Sequence, residues 1–169
     1  MPKKKAKDAD PWIAVYYREG DARDEISEEG IAAGVGPDPA PARAFLKSLD
    51  PAPRAALRAT VVAVRDRPPP SFPHGSNAWR LMHKPKKKGD VDMSGIFEVR
   101  DKYQSKLYRL FCVLDSEAPS HGLPAKSLVM LSGTIKRVGE EVPQAVYAEV
   151  RRQADRYFAT SPRPVIPFA

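Results

Sequence analysis

The side chains best suited to chemistry in this chain are cations placed inside strand-like runs. "IFEVRDKYQSKLYRLFCVLD", residues 96–115, carries Arg100, Lys102 and Arg109 among alternating apolar residues, and "KSLVMLSGTIK" ends on Lys136, followed by Arg137. A strand sends successive side chains to opposite faces. Over residues 107–115 this groups Leu107, Arg109, Phe111 and Val113 against Tyr108, Leu110, Cys112 and Leu114. The second set is the more apolar and is expected to meet helices. By the same alternation Phe97 and Val99 point to the helices, and Glu98 and Arg100 to an open side. If the two strands are antiparallel neighbours joined by "DKYQSK", Arg100 and Arg109 converge, and Lys136 and Arg137 can join them. A guanidinium holds phosphate through two parallel hydrogen bonds and keeps its charge. Alternation leaves two readings open. Arg109 pairs with Glu98 on a solvated surface, or the cations form a concavity that holds phosphate groups.

Other chemistries find less support. His74, His83 and His121 share no ligand spacing, and the single Cys112 cannot sustain a zinc cluster. "GVGPDP" lacks the spacing of a phosphate-binding loop, and no Gly-x-Ser-x-Gly occurs. No metal and no cofactor is expected. Lys84, Lys86, Lys87 and Lys88 form a basic loop, "KPKKK", that could steer a polyanion, although such runs are commonly solvated charge. Lys102 beside the strands adds to this basic set, and Tyr103 could stack on bases or simply pack.

The charge distribution points the same way. Residues 1–41 hold six basic and nine acidic residues, whereas residues 42–169 hold twenty-two and twelve. The second part is strongly cationic and suits a polyanionic partner such as nucleic acid. No signal-peptide pattern occurs and no apolar run reaches the roughly 20 residues of a membrane helix. A cytoplasmic protein is expected.

The elements that must position these cations read as one α+β domain. "MPKKKAKDAD" is polar and aperiodic, so residues 1–11 are expected to be a disordered basic leader. "WIAVYY" is a first strand. An acidic insert at about 18–40 follows, with six acids against two arginines in "REGDARDEISEEG". It reads as a solvated loop or as an internal cover for a basic surface. Phe45, Leu46 and Leu49 mark one helix. Asp50 followed by Pro51 marks the start of a second, with Leu57, Val61 and Val64 on its buried face. The two make a helical hairpin. "AWRLM" is a candidate short strand. Pro143 opens a closing helix whose stripe is Val146, Val150, Ala154 and Tyr157, widened by Tyr147 and Phe158. Residues 12–159 thus form the domain, and residues 160–169 a Pro-rich extended tail. The expected architecture is a small twisted, mostly antiparallel sheet of about four strands. The helical hairpin and the C-terminal helix are both expected on one face.

Residues 12–158 resemble the RelE/HigB-type toxins, specifically the phage-derived HigB-like branch. The resemblance rests on "ARAFLKSLDPAPRAALRATVVAV", on "GIFEVR", on the Tyr-Arg strand "YRLFCV", and on "LVMLSGTIKRVGEEVPQAVYAEVRRQADRY". It implies a RelE-like fold and a metal-independent endoribonuclease that cleaves mRNA on the ribosome. A small antitoxin, of helix-turn-helix type, is the implied partner. Arg109 matches the family's catalytic arginine, and Arg100, Lys136 and Arg137 match its other cationic positions. Lys102, Tyr103 and His121 are candidates for proton transfer by location. The long acidic segment, and Glu140 and Glu141 with a displaced proline, depart from the family pattern. The alternative is a non-catalytic, phage-encoded RelE-like protein that binds nucleic acid or ribosomes.

Overall fold

In a computed structural model the described residues are 10–20, 38–67, 77–83, 85 and 87–169. Residues 1–9 of the basic leader, 21–37 of the acidic segment, His74, Lys84 and Lys86 lie outside them.

Aromatic and β-branched residues make β1 (Ile13–Tyr17) a strand, and its last four side chains are buried. Two helices follow, α1 (Pro41–Ser48) and α2 (Pro51–Asp66), each with proline in its first turn, where the missing N–H costs no hydrogen bond. Leu57, Val61 and Val64 are fully buried along α2. The remaining elements are β2 (Trp79–Leu81), β3 (Phe97–Tyr103), β4 (Lys106–Asp115), β5 (Ser127–Arg137), α3 (Gln144–Ala159) and β6 (Val165–Pro167).

The strands form one mixed sheet in the order β2-β3-β4-β5-β1-β6. β1 runs parallel to β5, and every other pairing is antiparallel. Among the described residues the sheet therefore has six strands rather than about four. Both edge strands have three residues; β2 falls within the candidate strand "AWRLM", and β6 was not anticipated. Residues 160–169, expected as a tail, contribute one of them. Arg163 anchors the segment, donating from Nε to Asp115 Oδ2 at 3.0 Å and from Nη1 to the Phe158 carbonyl at 2.7 Å. That guanidinium sits where the last carbonyls of α3 need donors.

The helices lie on both faces, which corrects the expected one-faced cover. Tyr16, Val99, Tyr108, Leu110, Cys112, Leu128 and Met130 pack with α1 and α2 in one cluster. Phe111, Val113, Val129 and Leu131 pack with Val150, Ala154 and Tyr157 of α3 in a second cluster on the other side. Phe111 and Val113, expected on an open face, are buried because β3 to β5 carry apolar residues on both sides. Such strands must be covered twice.

Two local features set the register. Gln104 and Ser105 have φ of 49° and 63°, so β3 and β4 join through a two-residue turn instead of a longer polar loop. Between β4 and β5 the register slips by one, with Phe111 opposite Ser132 but Cys112 opposite Met130. Leu131 is the extra residue of a β-bulge. Beyond it the side chains of β5 change sides. Ser132 faces α3 and donates to Gln153 Oε1 at 2.8 Å, whereas Gly133 lies under the Phe45 ring of α1.

Candidate functional site

The register brings three arginines together on the α3 side of the sheet. Arg80 of β2 stands opposite Glu98 of β3, and Arg100 stands opposite Arg109 of β4. Glu98 is fully buried at their centre. Its Oε1 lies 2.7 Å from Arg80 Nε and 3.7 Å from Arg100 Nε, and its Oε2 lies 3.3 Å from Arg109 Nη1. Three guanidiniums thus share one carboxylate, and the cluster keeps an excess of positive charge.

Burial decides what that excess means. Arg109 is only 9% exposed, and its Nε makes no hydrogen bond among the described residues. A buried donor left unmatched costs about 1–3 kcal/mol, more when it is charged. The arrangement becomes favourable if an anion arrives to accept that bond. Arg100 loses some of its proton affinity, first through burial and next through repulsion from Arg80, against the opposing pull of Glu98. An added anion would relieve the same repulsion. Tyr147 of α3 borders the group: burial pushes its phenol up, and the neighbouring Arg109 guanidinium pulls it the other way.

Of the three arginines Arg80 lines a cleft of about 360 Å³, together with His83, Lys136 and Tyr147 among others. Lys136 lies on the arginine face because of the bulge, and its Nζ donates to the Glu140 carbonyl at 2.7 Å.

The other sequence candidates are distributed differently. Arg137 pairs with Lys106 on the hairpin side of the sheet, exposed and away from Arg109. The same bulge that admits Lys136 excludes it. Lys102 is exposed on the arginine face, opposite Leu107. Tyr103 is half-buried against the hairpin-side core, on the opposite face of the sheet from the arginines. Lys87 lines the cleft and Lys88 is exposed near it. His121 lies beyond the far end of β4, with Nδ1 3.0 Å from Ser161 Oγ. Two contributors were missed. Arg80, between Trp79 and Leu81, shows the same cation-among-apolar signal as Arg100 and was legible by alternation. Tyr147 was assigned to the apolar stripe of α3, and nothing in its spacing distinguishes it.

Comparison with protein-family models, curated proteins and solved structures finds no match for the chain. The site must be read from its own chemistry. Among the described residues no group of three or more His, Cys, Asp or Glu side chains is placed to hold a metal ion. No helix among them is long and apolar enough to cross a membrane. What the arrangement can do is bind an oxyanion against fixed guanidiniums, with a phenol and an imidazole nearby.

Proposed function

We propose that the chain is a RelE/HigB-type toxin, a metal-independent endonuclease that cleaves mRNA on the ribosome by attack of a 2′-hydroxyl on its phosphate. The observation that carries the reading is the convergence of Arg80, Arg100 and Arg109 on buried Glu98, with Arg109 Nε lacking an acceptor among the described residues. Cleavage of this kind needs a base for the hydroxyl proton, stabilisation of the phosphorane charge, and an acid for the leaving oxygen. Arg109 and Arg100 hold the phosphate and take up the developing charge. Glu98 fixes their orientation. Lys136 adds a cation at the mouth, and Tyr147 and His83 are the nearby groups able to move a proton. A small helix-turn-helix antitoxin and a cytoplasmic setting belong to the same proposal.

The test is induced expression. Wild type is expected to stop growth and cut translated mRNA, and folded Arg109→Ala and Arg100→Ala variants to do neither. A harmless wild type that leaves ribosome-bound mRNA intact overturns the enzyme reading. A non-catalytic RNA-binding protein is then the second reading. It is favoured by Glu98, whose carboxylate already offsets part of the arginine charge.

A further inference from the structure

We infer that the cleft beside the arginines is a nucleobase pocket that favours bases with an exocyclic amino group. The inference rests on the reading of the arginine cluster as an RNA phosphate site.

Arg80 belongs both to the arginine cluster and to the cleft lining, and Tyr147, which borders Arg109, lines the cleft with Lys136, so the cleft adjoins the phosphate site and is placed to take the base of a nucleotide bound there. Its size, about 360 Å³, falls within the roughly 300–1,000 Å³ of small-molecule sites. Met82, Met93 and Val91 supply apolar lining, and thioether sulfurs make favourable contacts with aromatic rings. Arg80 and Tyr147 offer planar groups on which a base can stack.

Hydrogen-bonding chemistry sets the preference. Two carboxylates, Asp90 and Glu141, line the same cleft. Asp90 Oδ2 accepts the Lys87 backbone N–H at 3.2 Å, and a carboxylate retains capacity for further donors. Gln144 Oε1 accepts the Val91 N–H at 2.9 Å, which orients its amide. Carboxylates beside a cationic cluster repel phosphate, so they are poorly suited to more backbone binding. They are well suited to accept N–H bonds from an amino group, as carboxylates accept from cytosine. Cytosine, adenine and guanine carry that group, and uracil does not.

The experiment measures binding of the full chain to three single strands of equal length: oligocytidine, oligouridine and an abasic phosphodiester. Cytidine is expected to bind about fivefold tighter than uridine, the size of one net hydrogen bond. The abasic strand is expected to be weakest. A folded Val91→Trp variant, filling the cleft, should bring all three to the abasic level while salt-sensitive binding persists. Equal salt-dependent binding of the three strands by wild type overturns the pocket and leaves the phosphate site standing. Failure to bind any strand overturns the phosphate site, and the pocket with it. Free cytidine 5′-monophosphate binding as tightly as the strand would overturn a strand-borne base as the occupant.

Discussion

Glu98 and Arg109 meet diagonally across the β3–β4 pair, Oε2 to Nη1 3.3 Å apart, the carboxylate fully buried and the guanidinium nearly so. Because Glu98 also serves Arg80 and Arg100, its removal leaves three like charges facing one another. Glu98→Gln is therefore expected to destabilise the fold by about 3 kcal/mol, as when one partner of a buried pair is lost. Urea unfolding measures this. Adding Arg109→Gln to Glu98→Gln should recover part of the loss, because the two sites are coupled. Additive losses would show that the pair is energetically idle.

Gly133 of β5 packs beneath the Phe45 ring so closely that an added Cβ would collide with it. Gly133→Ala is expected to cost about 1–3 kcal/mol by overpacking. Phe45→Leu in the same chain should return much of it. Thermal melting of the single and double variants decides the point, and an unchanged melting temperature for Gly133→Ala would refute it.

Asp115 gathers Tyr157 of α3 and Arg163 of the final segment, at 2.8 Å and 3.0 Å from Oδ2. Arg163→Ala leaves that buried carboxylate with only neutral donors, the Tyr157 hydroxyl and the Glu117 backbone N–H, and removes a donor from the end of α3. The expected result is destabilisation of about 3 kcal/mol and faster proteolytic clipping after Thr160. Clipping at the wild-type rate would count against the anchor.

Alkaline pH should unfold the protein early. Burial raises the phenols of Tyr16, Tyr17, Tyr147 and Tyr157 above the ordinary 10.0. The folded state then keeps phenolic protons that the unfolded chain releases, so stability is full below about pH 10 and falls as pH rises beyond it. Melting temperatures from pH 8 to 11 should decline from about pH 10. A flat profile would contradict the buried phenols.

Much of the framework was legible in the residues. Proline starts and the Leu57, Val61, Val64 spacing marked the helical hairpin, and Val150, Ala154 and Tyr157 marked the buried stripe of α3. Alternation assigned Arg100 and Arg109 to one face of the sheet, and the register keeps them there. Alternation also posed a salt bridge and an anion site as alternatives. The structure shows the salt bridge, Glu98 meeting Arg109 through one nitrogen, and leaves Nε without an acceptor among the described residues.

The remaining decisions were tertiary. Periodicity states that a strand has two faces, but not which helix covers each, so the position of α3 over Phe111 and Val113 waited on packing. A bulge is one residue of backbone with no composition of its own. Leu131 nevertheless reverses every side chain after it, and on that account Lys136, not Arg137, joins the arginines. Residue types by themselves determined that this protein carries cations on its strands. Their meeting around one buried carboxylate was decided by register, because contact between strands depends on pairings distant in the chain.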